Sequence, residues 1–196
     1  MIAVEKRIFL TGAGPETRSR LIREALQEKL AEAGGFVMAA EAGENGFAEA
    51  YALRPAAAAA GVEGLPSMRF LDCRVWPPQR DNEVFRGFGV QLLEEAACYP
   101  FAVLDEIGGW ETLIPQFSEA LEALLGSDLP LLGALKTAEE AEQWRGLFGL
   151  GERFTQRAER LRALIAADPD TRMIDLRETP EDEALALLRA WAAHWI

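Results

Sequence analysis

The apolar run from Phe101 to Leu104 ends in two adjacent carboxylates, Asp105 and Glu106. A continuous apolar run without alternation predicts a strand buried on both faces, as at the centre of a parallel sheet. Open α/β sheets bind ligands beyond the carboxyl ends of such strands, so we expect both acids at the edge of a site. In nucleotide hydrolysis one carboxylate holds Mg²⁺ and a second group orients the attacking water. We therefore predict that Asp105 is a metal ligand and that Glu106 is the catalytic residue.

A glycine-rich segment follows the first predicted strand near the amino terminus. Compared with G-x-x-x-x-G-K-[ST], the pattern of loops that cradle phosphates with backbone amides, it keeps Gly12 and Ser19. Thr17 stands where the pattern has its second glycine, and Arg18 replaces the lysine. Ser19 is also a candidate Mg²⁺ ligand through its hydroxyl. The candidate nucleotide-binding residues are Gly12, Ala13, Gly14, Pro15, Glu16, Thr17, Arg18 and Ser19.

The two substitutions weaken this motif for physical reasons. A β-branched residue such as Thr17 resists the backbone conformations that let glycine approach phosphates closely. Arg18 keeps a positive charge but carries a wide planar fork that cannot simply occupy the position of a lysine ammonium. Glu16 adds a carboxylate that would repel a triphosphate unless it turns outward. Two hypotheses stay open, a nucleotide-binding loop and a strand-to-helix turn that has lost phosphate binding.

Composition narrows the class of protein. With 196 residues, 49% hydrophobic and 27% charged, the chain is expected to form a single globular domain over residues 1–196. A net charge of −12 argues against nucleic acid and acidic membranes as partners. No apolar run approaches the ~20 residues of a membrane span, and no signal-peptide pattern begins the chain, so we expect a cytoplasmic protein. Cys73 and Cys98 lack metal-ligand spacing.

Strands alternate with helices along most of the chain, which predicts right-handed crossovers and a mainly parallel sheet. The expected fold is α/β, a three-layer P-loop fold with a mainly parallel central sheet and a β-hairpin excursion. The predicted strands are 7–11, 35–40, 47–53, 68–73, 101–105, 131–135 and 172–176, with a turn at 43–46. The predicted helices are 17–33, ended by Gly34-Gly35, then 90–97, 115–125, 138–148, 152–167 and a last one with Thr179 as N-cap.

The order of these motifs resembles the small P-loop nucleoside-triphosphatase family sometimes labelled cancer-related nucleoside-triphosphatases. The resemblance implies Mg²⁺-dependent binding and slow hydrolysis of ATP, GTP and other nucleoside triphosphates. It places Gly12, Arg18 and Ser19 on phosphate and metal positions, Asp105 on the metal position and Glu106 on the water-activating one. The family pattern also has a histidine where Lys136 stands. The resemblance is carried by Gly35-Phe36, Phe85-Arg86-Gly87-Phe88, Asp105-Glu106-Ile107-Gly108 with Glu111, Leu132-Gly133-Ala134-Leu135 and the ending from Asp175 to Glu181.

Several alternatives remain at this point. The fold could survive as a non-catalytic scaffold or regulatory protein whose protein partner the sequence does not identify. A nucleoside or nucleotide kinase is a further hypothesis, with a lid formed by arginines of a late helix. Lys136 could replace the missing loop lysine, and Trp110 could stack on a base. His194, the single histidine, offers no catalytic triad. The lid arginines would be Arg153, Arg157, Arg160 and Arg162.

Overall fold

A computed structural model describes residues 5–43 and 48–196 of the chain. Eight strands form one sheet in the order β5-β4-β3-β2-β6-β7-β1-β8. The strands from β2 through β6, β7 and β1 to β8 pair in parallel, whereas β3, β4 and β5 extend the sheet as an antiparallel arm. Their bounds are β1 Arg7–Thr11, β2 Ala33–Ala42, β3 Ala48–Pro55, β4 Met68–Asp72, β5 Gln79–Arg80, β6 Phe101–Ile107, β7 Leu131–Leu135 and β8 Thr171–Asp175.

Seven α-helices and several shorter turns connect these strands within the described residues. The α-helices are α1 Pro15–Leu26, α2 Asn82–Val84, α3 Val90–Glu95, α4 Pro115–Leu125, α5 Ala138–Phe148, α6 Glu152–Ala167 and α7 Glu181–Trp195. The shorter turns are 3₁₀ segments at Gln27–Glu32, Ala56–Ala60, Ala96–Cys98 and Trp110–Leu113 and a π-helical segment at Phe85–Gly89. No helix in residues 5–43 and 48–196 is long and apolar enough to cross a membrane.

Two apolar clusters cover the two faces of the sheet, because neighbouring residues of a strand point to opposite sides. Ile8 and Leu10 of β1 pack with α1 and α7, whereas Phe9 packs on the other face with α3, α4 and α6. The predicted buried strand is confirmed, since all seven residues of β6 are buried. The predicted three-layer α/β fold with a mainly parallel sheet is therefore confirmed.

Some predicted element bounds are confirmed and others are wrong. The bounds of β7, α4, α5 and α6 agree with the sequence, but the first helix does not run from 17 to 33: α1 begins at Pro15 and ends at Leu26. The glycines expected to end that helix lie inside β2. Gly35 has φ +82°, and a Cβ there would lie 2.2 Å from the carbonyl oxygen of Val103. Close contact with β6, rather than helix termination, requires this glycine.

Three further predictions need correction or lie outside the structure. Phe85 to Phe88 form part of the helical segment instead of preceding it. The last helix is capped by Pro180, not by Thr179, whose amide donates to the carbonyl of Asp175. Most of the turn predicted at 43–46 and the start of the strand at residue 47 lie outside the described residues, which resume with β3 at residue 48.

Candidate functional site

The carboxyl ends of β1, β6 and β7 meet at one edge of the sheet. The glycine-rich loop follows β1, the paired carboxylates end β6, and Lys136 follows β7 directly. A cavity of about 260 Å³ opens at this edge. Its lining combines the predicted site residues with several that the sequence did not single out: Pro15, Ser19, Met38, Tyr51, Phe70, Asp105, Glu106, Lys136, Glu140, Gln143 and Trp144.

Asp105 is a buried carboxylate with an unused oxygen. Its Oδ1 has no hydrogen-bond partner among the described residues. Burial raises the pKa of Asp105 from 3.8 to about 6, although a hydrogen bond from Ser19 acts in the opposite direction. An unpartnered buried carboxylate oxygen beside a hydroxyl is a donor set that suits Mg²⁺. In the described part of the chain, no three His, Cys, Asp or Glu side chains converge on one point, so Mg²⁺ there would need phosphate and water oxygens as well.

Glu106 reaches the site because β6 is irregular at its end. In the pairing of β6 with β7, Asp105 faces Ala134 and Ile107 faces Leu135, which leaves Glu106 as an extra residue between them. Bulges of this kind re-aim side chains and recur beside active sites. The irregularity explains how two consecutive strand residues, which would ordinarily point to opposite faces, both line the cavity.

The turn after β6 is fixed by Glu111. Its Oε1 accepts hydrogen bonds from the amides of Gly108 and Gly109 at 2.8 and 2.7 Å. Burial raises the pKa of the Glu111 carboxyl, while Lys136 and these amides act in the opposite direction. We conclude that Glu111 shapes the turn that presents Glu106, since its carboxylate is occupied by backbone donors.

The loop after β1 differs from a phosphate cradle in one respect. Helix α1 begins three residues before Arg18, and the amides of Thr17 and Arg18 donate to the carbonyl of Gly14 at 3.1 and 3.2 Å. Pro15 has no amide hydrogen to offer. These positions are therefore used in the first turn of the helix instead of facing a ligand.

Part of the cradle nevertheless remains. Within the described residues, no acceptor is found for the amides of Gly12, Ala13, Gly14 and Glu16. Gly12 and Ala13 have φ values of +67° and +45°. A Cβ at Gly12 would lie 2.2 Å from Oδ1 of Asp175, so the start of the loop is packed against the end of β8. Free amides at a helix N-terminus favour an anion, and the Glu16 side chain is exposed at the surface.

Arg18 is fully buried and forms the electrostatic centre of the site. Its Nη1 donates to the carbonyls of Gly12 and Ala13 at 2.6 and 2.9 Å. Its Nη2 donates to Oε1 of Glu106 at 2.6 Å and to Oε1 of Glu140 at 2.7 Å. Burial lowers the pKa of Arg18, but the bonds to Glu140 and Glu106 outweigh it and the net shift is upward. The guanidinium thus holds the loop, β6 and α5 together.

Two other side chains complete this network. Nζ of Lys136 lies 2.9 Å from Oε1 of Glu106 and 4.5 Å from the centre of the Trp144 ring. Glu140 also caps α5, because its carboxylate accepts from the amide of Thr137 while its own amide donates to the Thr137 hydroxyl. Lys136 is therefore a partner of the predicted catalytic carboxylate, and Glu140 couples the loop to the start of α5.

Three other sequence hypotheses concerned Trp110, His194 and the arginines of the proposed lid. Trp110 is buried and stacks on Trp144 with ring centres 5.1 Å apart, so it belongs to the core. His194 is exposed near the end of α7, against the ring of Trp195. The cavity lining includes none of the four arginines proposed as a lid, which lie on α6.

Sequence reasoning missed Glu140 and the apolar walls of the cavity. The spacing Thr137-x-x-Glu140 is a recognisable capping box, so the start of α5 could have been predicted. Nothing local shows that this glutamate also binds Arg18, which is 122 residues away along the chain. The apolar walls come from β2, β3, β4 and α5, and only the assembled fold brings them together.

Comparisons with known proteins agree with this architecture. The crystal structure of THEP1 from the hyperthermophile Aquifex aeolicus superimposes with a TM-score of 0.59 over 92% of this chain and 94% of that chain, at 16% identity. Among curated proteins, no sequence match reaches significance. A family model described as NTPase matches residues 7–149. Because this match covers well over half of the chain, the protein belongs to that NTPase family of P-loop proteins.

Proposed function

We propose that this protein binds a nucleoside triphosphate together with Mg²⁺ and hydrolyses it slowly. The observation that carries the proposal is the unpartnered Oδ1 of Asp105, buried at the end of β6. Ser19, which lines the same cavity as Asp105, supplies a second oxygen ligand. A buried carboxylate oxygen without a partner is costly unless a cation or donor completes it. Membership of the NTPase family supports nucleotide as the ligand class.

Each group of the site has a role in this proposal. The free amides of the loop and the N-terminus of α1 bind phosphate oxygens. Ser19 and Asp105 hold Mg²⁺, which when bound neutralises charge on the phosphates. Arg18 exchanges its carboxylate partners for phosphate oxygens, since a guanidinium binds both kinds of oxyanion. Glu106 orients the attacking water.

Turnover is slow because Glu106 is already bound to two cations in the nucleotide-free protein. Both Arg18 and Lys136 bind its Oε1, at 2.6 and 2.9 Å. With two donors bound, Oε1 has no lone pair left to accept a hydrogen bond from the attacking water. Glu106 therefore becomes an effective partner for water only when Arg18 has moved to the phosphates.

Calorimetric titration with ATP and GTP, with and without Mg²⁺, tests the proposal. We expect metal-dependent binding, and we expect Asp105→Asn to weaken it by at least about tenfold, equivalent to 1.4 kcal/mol. Asp72→Asn is the matched control, because Asp72 lies on β4 outside the cavity lining and pairs with Arg74. Binding that is equally strong without Mg²⁺, or in Asp105→Asn, would contradict the metal assignment.

A second candidate function is a non-catalytic scaffold of the same fold. It is favoured by the early start of α1, which uses the amides of Thr17 and Arg18 within the helix. It is also favoured by the occupation of Arg18 with internal partners. The same titration separates the candidates, since a scaffold predicts no heat of binding up to about 1 mM nucleotide.

A further inference from the structure

Tyr51 of β3 lines the same cavity as the proposed metal and phosphate ligands. Pro15 and Ser19 line the cavity from the loop side, and Asp105 and Glu106 line it at the end of β6. The cavity is therefore a single site, in which the proposed triphosphate and Mg²⁺ lie together. Among the described residues that line it, only Ser19 and Tyr51 carry a hydroxyl group.

The strand pairing places Tyr51 across the site from the loop. Val37 of β2 pairs with Asp105, and Ala40, three positions further along β2, pairs with Tyr51. Because a strand rises about 3.3 Å per residue, Tyr51 stands roughly 10 Å beyond the level of Asp105. The loop follows β1, two strands from β6 on one side, and β3 lies two strands from β6 on the other. Tyr51 thus faces the site from the side opposite the loop.

Hydrolysis needs its water on that same side. In the proposed function, the loop and the N-terminus of α1 hold the phosphates. The attacking and leaving oxygens of a transferred phosphoryl group lie roughly in line, so the water approaches from the side away from the leaving diphosphate. Glu106 and Tyr51 both lie on that side of the loop. The attacking water therefore belongs in the space between these two side chains.

The hydroxyl of Tyr51 is available for such a water. Among the described residues, it forms no hydrogen bond. Burial raises the pKa of Tyr51, and the nearby charges of Cys73, Glu16 and Glu106 raise this pKa further. The hydroxyl therefore keeps its proton at neutral pH, so it can donate one hydrogen bond and also accept one.

A water molecule needs two acceptors before its lone pair has a fixed direction. It carries two hydrogens, and a carboxylate such as Glu106 that accepts one of them leaves the other free to turn. A second acceptor fixes the lone pair toward the phosphorus, and such alignment of reacting atoms accelerates a reaction. Lys136 has no acceptor atom, and Gln143, the other uncharged acceptor in the lining, is exposed. Tyr51 is the side chain that suits this second position.

We propose that Tyr51 holds the attacking water together with Glu106, its hydroxyl oxygen accepting one hydrogen of the water and its own proton binding a γ-phosphate oxygen. This role rests on the proposed hydrolysis and adds a residue to its mechanism. The water oxygen forms a bond to the γ-phosphorus, and the bond from that phosphorus to the β,γ-bridging oxygen breaks. The nucleoside diphosphate leaves with the electron pair, and a water proton passes to Glu106. Tyr51 keeps its own proton throughout.

Single-turnover hydrolysis of γ-labelled ATP with Mg²⁺ and excess protein measures the chemical step apart from product release. Tyr51→Phe removes the hydroxyl and keeps the ring that packs on Phe70, with ring centres 6.5 Å apart. We expect the single-turnover rate constant to fall by at least about tenfold, because a donor aimed at transition-state charge is lost. The dissociation constant for MgATP, measured by calorimetry, should stay within about twofold, because the hydroxyl acts on the transition state.

Tyr99→Phe is the matched control. The chain has two tyrosines, and Tyr99 is exposed just before the first residue of β6, at the opposite edge of the sheet. Loss of that hydroxyl should leave the rate constant and the dissociation constant within about twofold of the original values. Urea denaturation should give the same midpoint for Tyr51→Phe as for the original protein, since the ring packing is kept.

A double variant tests whether Tyr51 and Glu106 hold the same water. When Glu106→Gln is already present, Tyr51→Phe should lower the rate constant by less than about a further threefold, because groups that act as a unit are not additive. Two losses that multiply in full would overturn the shared water.

Failure of this role and failure of the proposed function give different results. Equal single-turnover rates in the original protein and in Tyr51→Phe would overturn the role of Tyr51 and leave hydrolysis standing. A loss explained entirely by weaker MgATP binding would overturn that role as well. Absence of hydrolysis in the original protein would overturn the proposed function, and the role of Tyr51 with it.

Discussion

The end of β6 and the loop after β1 lie one strand apart in the sheet, yet they differ in the groups that are free to bind a ligand. At the end of β6 the two carboxylates line a cavity, and one of them keeps an unused oxygen. In the loop, the helix begins early and the arginine binds carbonyls of its own loop. The proposed metal-binding half of the site is thus ready for a ligand, whereas the proposed phosphate-binding half must rearrange first.

A buried charge can keep a loop ordered and also compete with the ligand of that loop. Arg18 satisfies Glu106 and Glu140 and also the carbonyls of Gly12 and Ala13. Each of these bonds stabilises the nucleotide-free loop. In the proposed mechanism, the bonds to the two carboxylates must also be replaced by phosphate contacts of similar strength, so the affinity for nucleotide reports a difference between two sets of bonds.

Removing the guanidinium should have the largest effect on stability. Arg18→Met leaves Glu106 and Glu140 without their shared cation, and breaking a buried ion pair on one side costs about 3–5 kcal/mol. Urea denaturation measures this loss. Arg20→Met is the matched control in the same helix, since Arg20 forms only exposed pairs with Glu24 and Glu181 and should cost less than about 1 kcal/mol. Equal losses for the two variants would contradict a central role for Arg18.

The raised pKa of Asp105 predicts that the free energy of unfolding depends on pH. Its folded pKa of about 6 exceeds the ordinary 3.8, so the folded state holds its proton more tightly than the unfolded state does. The contribution of Asp105 to stability is therefore fully present below about pH 4 and is lost as pH rises through 6. About 2 pKa units correspond to about 3 kcal/mol.

Asp105→Asn removes this titration. In metal-free protein, the free energy of unfolding of the variant relative to the original should rise by up to about 3 kcal/mol between pH 4 and 7 and then stay level. Urea denaturation across this range provides the measurement. A difference between the two proteins that does not vary with pH would show that Asp105 is not buried as described.

The role of Glu106 is tested through turnover. Glu106→Gln keeps the shape of the side chain but cannot orient water as a carboxylate does, so hydrolysis of MgATP should fall by at least about 100-fold. Phosphate release measures the rate. Calorimetry on the same variant should still detect MgATP, because Arg18 loses a competing carboxylate. Glu94→Gln, an exposed change on α3, serves as the control. Unchanged hydrolysis in Glu106→Gln would remove Glu106 from the mechanism.

Restoring the loop should have a smaller effect in the opposite direction. The double variant Thr17→Gly and Arg18→Lys recreates the pattern G-x-x-x-x-G-K-S, with a residue that permits a close approach of backbone to phosphate. We expect MgATP to bind about tenfold more tightly, by 1.4 kcal/mol, as calorimetry would show. Weaker binding than in the original protein would mean that the arginine fork, and not the loop backbone, supplies the affinity.

The sequence predicted those parts of the molecule whose signals are local. The apolar run of β6 and the alternation of helices and strands were sufficient for the fold, and α4, α5 and α6 were bounded by their own patterns. The start of α1 was also readable, because proline is favoured in the first turn of a helix. Alignment with the phosphate-loop pattern instead placed the helix start at Thr17. Gly35 was misassigned because its requirement comes from Val103, on another strand.

The network around Arg18 could not be predicted in the same way. Its carboxylate partners lie 88 and 122 residues away along the chain, and no periodic pattern links them to the loop. The bulge that delivers Glu106 depends on how β6 pairs with β7, which only the assembled sheet determines. The identities of the site residues were accessible from sequence, but the bonds that hold them were not.

We propose that the nucleotide binds by taking Arg18 away from Glu106. A crystal structure with Mg²⁺ and a non-hydrolysable ATP analogue would show this exchange of partners. We predict that the guanidinium will contact the terminal phosphates and that its 2.6 Å bond to Glu106 will be broken. An analogue bound in the loop with that bond intact would show that Arg18 does not exchange partners.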